Sequence, residues 1–166
     1  MKTLFAFSIF LLAITFGYGQ EKVRLPEFQK FIRMDSNEPF TRDSIVVDNT
    51  QVFILFDPGC GHCQELGYNI SNVLDRMAKD VDVYFVSMQP KDLVDGYINM
   101  FAPALASDSR VHFLFDPEAE FILNFNPKAF PSTYIYAKDS LTLLAHFDGD
   151  AEIDEILPLI EATTKQ

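Results

Sequence analysis

The sequence predicts an α/β sandwich in which the first half of the sheet is parallel and an antiparallel hairpin follows it. Two continuous apolar segments, Gln51 to Phe56 and Val81 to Met88, have the composition of strands buried on both faces of a parallel sheet. Each is followed by a helical pattern, and the chain then closes with a hairpin and a last helix. This order is typical of helices packed against a central sheet.

The N-terminal half of the domain contains the first buried strand and the longest predicted helix. The segment Leu25 to Met34 leads to a turn at Asp35-Ser36-Asn37, and a short apolar run follows from Ile45 to Val47. After the first strand, apolar residues recur at helical spacing from Gly61 to Lys79. They form one stripe that we expect to be buried: Leu66, Ile70, Val73, Leu74 and Met77.

The C-terminal half supplies the remaining elements. Lys91 to Leu105 predicts a helix that is interrupted near Pro103. The two strands of the hairpin are expected to flank a turn at Lys138-Asp139-Ser140. In chain order, the pattern after the interrupted helix predicts a strand at Val111 to Phe115, a short helix at Glu118 to Phe125, strands at Ser132 to Ala137 and Leu141 to Phe147, and an acidic amphipathic helix at Asp150 to Ala162.

Residues 1–19 have the pattern of a secretory signal peptide. A positive start at Met1-Lys2 precedes an almost wholly apolar stretch, Leu4 to Phe16, and Gly17-Tyr18-Gly19 offers small residues for cleavage. An apolar stretch of roughly 13 residues is short for a membrane span, although an uncleaved anchor is the alternative interpretation. We therefore expect export to the periplasm, with residues 20–166 forming one domain because no linker-like segment interrupts them.

The chain is acidic, with a formal net charge of −11. An acidic protein without basic clusters is unsuited to nucleic acid or to an anionic membrane surface. We therefore expect no nucleic-acid partner and interpret the charge as a contribution to solubility.

The two cysteines of the chain lie together in the run Cys60-Gly61-His62-Cys63, between the first buried strand and the long helix. A disulfide between them would close a very small loop and would constrain the unfolded chain little, so redox chemistry explains the pair better. The N–H groups and dipole of the helix start favour a thiolate at Cys60, whose sulfur we expect to cap the helix. Cys63 would be the resolving thiol, and His62 could stabilise the Cys60 thiolate.

The order of elements, the position of Cys60-Gly61-His62-Cys63 and the run Phe130-Pro131-Ser132-Thr133 together resemble the thioredoxin superfamily. Within it, the chain looks most like exported thiol–disulfide oxidoreductases of the TlpA/redoxin type. The resemblance covers roughly Glu27 to Ile160 and implies a three-layer α/β/α sandwich with a mixed sheet. It also implies an N-terminal hairpin extension, matched by Phe31 to Val47, and an insertion before the proline, matched by Lys91 to Phe125.

The resemblance also implies roles for residues outside the cysteine pair. Pro131 resembles the cis-proline that lies against the two cysteines in this superfamily, and a cis bond before proline costs little. Phe130 would then present its backbone to a substrate chain, and we expect Gly59 and Gly61 to contact the substrate as well.

Two positions depart from the superfamily pattern. Many members have tryptophan before the first cysteine, where this chain has Gly59, so we expect a flatter and more open mouth. Thioredoxins carry a buried aspartate six positions before the first cysteine, where this chain has Ile54. The proton acceptor for Cys63 is therefore unassigned, with Asp57 and Glu65 as the nearest candidates.

The leading hypothesis is an exported thiol–disulfide oxidoreductase that acts on protein thiols and disulfides without a further cofactor. His62 favours oxidation or isomerisation, whereas the TlpA resemblance favours a reductase supplied with electrons by a membrane partner. The alternatives are a thioredoxin-like binding protein with non-catalytic cysteines, a peroxidase, an inert disulfide, and half of a zinc site. A zinc site would need His62, His112 or His146, but their spacing is not that of a zinc finger, and we expect His112 and His146 to be packing or surface residues.

Overall fold

A seven-stranded mixed sheet runs through the centre of the computed structural model, which describes residues 23–149 and 152–162. The predicted signal peptide lies outside the described residues. The strands in chain order are β1 (Phe31–Arg33), β2 (Pro39–Phe40), β3 (Thr50–Leu55), β4 (Val81–Ser87), β5 (Val111–Phe115), β6 (Ser132–Tyr136) and β7 (Leu143–Asp148). Their order in space is β2-β1-β5-β4-β3-β6-β7. The central strands β3, β4 and β5 are parallel, and all other neighbours are antiparallel.

Helices cover both faces of this sheet. They are α1 (Gly61–Ser71), α2 (Lys91–Phe101), α3 (Glu120–Phe125) and α4 (Ile153–Ile160), with short 3-10 helices at Arg42–Ser44 and Pro103–Ser107. Helices α1, α2 and α4 share one buried cluster with the sheet, and α3 shares the other with the N-terminal segment around Phe28. Strand β3 contributes to both clusters, because Val52 and Ile54 face α1 while Phe53 and Leu55 face the opposite side.

The second of these clusters is built largely from aromatic rings. Phe28 stacks on Phe31 with ring centroids 4.7 Å apart, and Phe53 stacks on Tyr84 at the same separation. On α3, Phe121 and Phe125 stack at 4.0 Å, and both rings contact Tyr134 of β6. Because Tyr134 lies three residues after Pro131, this packing fixes the start of β6, where the chain approaches the cysteine pair.

The N-terminal hairpin is present as β1 and β2, with Phe31 paired to Phe40. It joins the sheet through antiparallel pairing of β1 with β5. Among the residues that the structure describes, no helix is both long enough and apolar enough to cross a membrane.

The helix predicted from Gly61 to Lys79 is wrong at its C-terminal end, since α1 ends at Ser71. Beyond it, the guanidinium of Arg110 donates to the carbonyl oxygens of Leu74 at 2.6 Å and Met77 at 2.8 Å. Met77 also pairs with Glu161 as an isolated bridge. These distant partners satisfy backbone groups that a longer helix would have paired internally, and the buried stripe continues through Met77 without the helix.

Other boundaries also differ from the predictions by a few residues. The short helix α3 begins at Glu120 because Ala119 has a left-handed backbone, with φ 56°. Leu141 is also left-handed, with φ 51°, so the hairpin turn is longer than predicted and β7 begins at Leu143. At the C-terminus, α4 ends at Ile160 because Glu161 is extended.

Candidate active site

The cysteine pair lies at the carboxyl end of β3, where the chain enters α1. Cys60 occupies the N-cap position with an extended backbone, and its carbonyl oxygen accepts the N–H of Gln64 at 3.0 Å. Cys60 is partly exposed, whereas Cys63 is only 1% exposed, and both are free thiols. This places an accessible sulfur at the helix start and a buried sulfur one turn behind it.

The sulfur of Cys60 contacts the loop before β6 and also interacts with the side chain of Cys63 on α1. It makes no hydrogen bond to the first N–H groups of α1, so the expectation that it caps the helix is wrong. Its Sγ lies 3.8 Å from the carbonyl oxygen of Phe130, to which the thiol donates. The peptide bond between Phe130 and Pro131 is cis, and Pro131 is buried. Residues 70 positions apart in sequence thus meet at this sulfur.

Burial raises the pKa of the Cys63 thiol to about 12, and the neighbouring Cys60 and the charge of Asp57 add to this shift. The backbone N–H of Asp57 lies 3.4 Å from the Cys63 sulfur and acts in the opposite direction, because it stabilises a thiolate. Cys63 shares its buried cluster with Ile54, the apolar residue at the position where thioredoxins carry an aspartate. Cys63 is therefore a neutral thiol at neutral pH and needs a base before it can attack a disulfide.

The carboxylate of Asp57 is held in place by two hydrogen bonds. Its Oδ1 accepts the backbone N–H of Gly59 at 2.8 Å, and its Oδ2 accepts the side-chain amide of Gln89 at 3.1 Å. Glu65, the other candidate proton acceptor, is exposed on α1. Of the two acids, Asp57 is the one whose charge acts on Cys63.

Gln89 and Tyr97 are two site residues that the sequence reasoning missed. Gln89 follows β4, and β4 is the parallel neighbour of β3, so the residues after both strands meet at one edge of the sheet. The predicted parallel pairing of these two strands therefore already indicated that Gln89 lies near the cysteine pair. Tyr97 is on α2, and its hydroxyl donates to the carbonyl oxygen of Cys63 at 3.1 Å. Nothing in the spacing of the sequence indicates this contact.

Of the remaining predicted residues, three lie next to Cys60 and two histidines lie elsewhere in the fold. Gly59, Gly61 and His62 are exposed next to Cys60, and the thiolate-stabilising role of His62 stays a prediction. His112 stacks on Tyr84 with centroids 5.1 Å apart, and His146 stacks on Tyr134 at 4.1 Å. The structure brings neither of these two histidines to the cysteines, and the described residues contain no group of three or more His, Cys, Asp or Glu side chains that could hold a metal ion.

Among known proteins, the chain is similar to solved structures, but its sequence matches neither a family model nor a curated protein. A structure described as thiol:disulfide interchange protein DsbE from Chlorobium tepidum aligns with a TM-score of 0.65 and 13% identity, over 84% of this chain and 96% of that one. The chain has a thioredoxin-like fold.

Two further structures with this fold are similar to the chain. A secreted disulfide oxidoreductase of Mycobacterium tuberculosis, homologous to E. coli DsbE, aligns with a TM-score of 0.62 and 14% identity, over 79% of this chain and 92% of that one. A thio-disulfide isomerase from Thermus thermophilus aligns with a TM-score of 0.61 and 18% identity, over 84% and 93% of the two chains. The predicted fold class is confirmed, and within this thioredoxin-like fold the segment Lys91 to Phe125 contributes α2, β5 and α3.

Proposed function

We propose that the protein is an exported thiol–disulfide oxidoreductase that exchanges disulfides with protein substrates through Cys60 and Cys63. The observation that carries the proposal is the asymmetry of the pair in a thioredoxin-like fold. Cys60 is partly exposed at the start of α1 beside the Phe130 carbonyl, and Cys63 is buried one turn behind it. An accessible nucleophile backed by a protected thiol is the arrangement that disulfide exchange requires.

In the reducing direction, the Cys60 thiolate attacks one sulfur of a substrate disulfide. A mixed disulfide forms between Cys60 and the substrate, and the other substrate sulfur leaves as a thiolate. Cys63 then loses its proton and attacks the Cys60 sulfur, which releases the second substrate thiolate and leaves a Cys60–Cys63 disulfide. The substrate gains two electrons and the cysteine pair loses two; the oxidising direction is the reverse of these steps.

Asp57 is our candidate for the base that takes the proton from Cys63. The backbone N–H of Asp57 lies 3.4 Å from the Cys63 sulfur, and the charge of Asp57 contributes to the raised pKa of Cys63. The hydrogen bonds from Gly59 and Gln89 fix the carboxylate, so it can accept the proton directly or through one water molecule. As Cys63 attacks, the proton moves to Asp57 and the buried site does not accumulate a second negative charge.

Export and the partner are further parts of the proposal. The apolar stretch Leu4 to Phe16 supports export, and the similar Mycobacterium tuberculosis structure is described as secreted. Outside the cytoplasm, partner proteins carry disulfides that such a site can exchange. If the pair acts as a reductase, each turnover leaves it oxidised, and a membrane protein that supplies electrons is the partner we propose.

Replacing the resolving thiol tests the function. In Cys63→Ser, the first attack proceeds but the mixed disulfide cannot be resolved, so we expect substrate adducts to accumulate on Cys60. They are detected on non-reducing gels of the exported fraction and identified by mass spectrometry. The matched control, Cys60→Ser with Cys63→Ser, should trap nothing. If Cys60 reacts fully with a small thiol reagent and yet traps no protein, the proposal is wrong and a binding function is favoured.

The direction of exchange follows from the reduction potential of the Cys60–Cys63 pair. Thioredoxin, a reductant, has a potential of about −270 mV, and the oxidant DsbA has one of about −120 mV. Equilibration of the purified protein with glutathione buffers measures the value. A potential near that of thioredoxin assigns the reductase direction, and a value near that of DsbA assigns oxidation.

A further inference from the structure

A groove of about 390 Å³ opens beside Cys60, between the loop that precedes α1 and one face of α2. Its walls are mainly apolar, and two of them are large side chains in contact with solvent. Leu93 is 51% exposed and Met100 is 72% exposed. We call this feature the α2 groove and define it by Pro58, Gly59, Leu93, Tyr97, Met100 and Phe101.

The floor of the α2 groove is connected to the cysteine pair. Tyr97 is buried, and its hydroxyl donates to the carbonyl oxygen of Cys63 at 3.1 Å. Its ring lies 4.9 Å from that of Phe56, which immediately precedes the active-site loop, and 6.2 Å from that of Phe101. The groove is therefore formed before any substrate arrives, and its position relative to the cysteines is fixed.

The α2 groove begins at the residue that precedes Cys60, where the mixed disulfide would form. Gly59 lines the groove and directly precedes Cys60, and it carries no side chain that could separate the two. The predicted open mouth is thus present at Gly59, but it is a groove rather than a flat surface. A substrate chain held at Cys60 reaches the groove within a few residues, because an extended chain covers about 3.3 Å per residue.

The polar lining of the groove is acidic. Asp57 and Asp92 are the charged residues among the described residues that line it, and neither lysine nor arginine is among them. The formal net charge of the chain, −11, has the same sign. The groove therefore favours a ligand that combines apolar surface with a positive charge.

We propose that the α2 groove is a specificity site for the protein substrate. It binds a large apolar side chain one or two residues from the substrate cysteine that joins Cys60, and Asp57 and Asp92 attract a lysine or arginine next to it. The inference rests on the proposed function and names the class of substrate segment: an apolar residue and a basic residue beside a disulfide cysteine.

Synthetic peptide disulfides test this inference on the full domain carrying Cys63→Ser. Each peptide has one cysteine joined to thionitrobenzoate, a coloured group that is released when the Cys60 thiolate attacks the peptide sulfur. A series places Phe and Lys at the two positions on either side of the cysteine, with matched peptides in which Phe is Ala or Lys is Glu. Bis(2-hydroxyethyl) disulfide serves as a small probe that cannot reach the groove while reacting.

We expect the best Phe–Lys peptide to react about tenfold faster than its Ala counterpart, the effect of burying one large apolar side chain. The Glu counterpart should be slower than the Lys peptide at low salt, with the difference shrinking as salt is added. Equal rates for the Phe and Ala peptides at every position would overturn the α2 groove proposal. Failure of Cys60 to react with any disulfide, including the small probe, would instead overturn the proposed function on which it rests.

Filling the groove gives a second, independent readout. Gly96 lines the groove and has open space where a side chain would begin, so Gly96→Phe should occupy it and bring the Phe/Ala rate ratio close to one. Asn99→Phe, at an exposed position of the same helix outside the groove, is the matched control and should keep the ratio. Should Gly96→Phe not fold, Leu93→Ala with Met100→Ala should lower the ratio, with the exposed Leu123→Ala on α3 as its control. An unchanged ratio in these groove variants would also overturn the proposal.

Discussion

Cys63 and Asp57 are coupled through both the backbone and the charge of the aspartate. The N–H of Asp57 lies against the Cys63 sulfur, and burial together with the Asp57 carboxylate raises the pKa of the thiol. Because a neutral thiol is a poor nucleophile, the step in which Cys63 resolves a mixed disulfide depends on proton removal. Resolution therefore requires a group that accepts this proton.

Asp57→Asn should slow resolution of the mixed disulfide by about tenfold or more at pH 7, because the fixed base is lost. The loss of its charge also lowers the pKa of Cys63, which offsets part of the effect. The rate of the variant should rise with pH as hydroxide takes over proton removal. Stopped-flow measurement of substrate thiol release from the mixed disulfide gives this rate.

The matched control for this variant is Glu65→Gln, which removes an exposed acid from the first turns of α1. Its resolution rate should equal that of the unmodified protein. A slow Glu65→Gln variant together with a fast Asp57→Asn variant would assign the proton to Glu65 instead.

Much of the site follows from the sequence. The spacing of Cys60 and Cys63 at a strand-to-helix junction predicts their positions, and the resemblance carried by Phe130-Pro131 predicts the loop that meets them. Asp57 could not be chosen over Glu65, because both are close to the cysteines in sequence. Only the path of the loop shows that Asp57 lies against the Cys63 sulfur, through its backbone N–H.

At the scale of secondary-structure elements, the contact between α1 and α2 determines the surroundings of the cysteine pair. Gly67 of α1 faces the hydroxyl end of Tyr97 on α2, and a Cβ at this position would lie 1.8 Å from the Tyr97 oxygen. The missing side chain lets the two helices approach closely, and the Tyr97 hydroxyl then reaches the carbonyl oxygen of Cys63. Such a close approach depends on packing between elements and is not visible as a pattern along the chain.

In Gly67→Ala, the added methyl group overpacks the helix contact at a cost of about 1–3 kcal/mol. The gain in helix propensity, about 1 kcal/mol, offsets part of this cost, so the net loss of stability should be up to about 2 kcal/mol. The matched control is Gly96→Ala on α2, where the added Cβ meets open space, and this variant should be stabilised by up to about 1 kcal/mol. Urea unfolding followed by circular dichroism measures both values.

A double variant tests whether overpacking against Tyr97 causes the loss of stability in Gly67→Ala. Tyr97→Phe removes the oxygen that lies closest to the new methyl group, so Gly67→Ala should cost less in the Tyr97→Phe background than alone. Additive effects of the two substitutions, or a stable Gly67→Ala variant, would contradict this account of the contact.

The end of α1 shows why the boundary of a helix can be predicted wrongly although its interior is predicted correctly. The apolar stripe continues to Met77, so periodicity alone extends the helix. The competing partners are Arg110, near β5, and Glu161, beyond α4, and they become neighbours only when the sheet is assembled. The strands were easier to predict because burial on both faces leaves a continuous apolar run in the sequence.

Buried phenol groups lie on both sides of the sheet. Tyr84 and Tyr136 belong to the aromatic cluster around α3, and Tyr97 belongs to the cluster beneath α1 and α2. Burial raises the pKa of all three, with Asp82 adding to the effect at Tyr84, Cys63 at Tyr97 and Tyr134 at Tyr136. Ionising any of them in the folded state would place a charge in an apolar core.

This distribution predicts loss of stability in alkaline solution. Below about pH 10 the phenols are neutral in both folded and unfolded states, and they add no pH dependence. Above it, the unfolded chain releases these protons while the folded chain retains them, so the free energy of unfolding falls as pH rises, by up to about 1.4 kcal/mol per pH unit for each phenol. The buried Cys63 thiol also lowers the free energy of unfolding as pH rises, from about pH 8.5 upward.

Urea unfolding between pH 7 and pH 11.5 measures this decline, and tyrosinate absorbance can be followed directly because the chain contains no tryptophan. We expect the absorbance of the buried phenols to rise only together with the loss of circular dichroism. Tyr136→Phe should reduce the slope of this decline by up to about 1.4 kcal/mol per pH unit, the effect of one proton. Nearly complete tyrosinate formation at pH 11.5 with an intact fold would contradict the burial of these groups and the packing of both cores against the sheet.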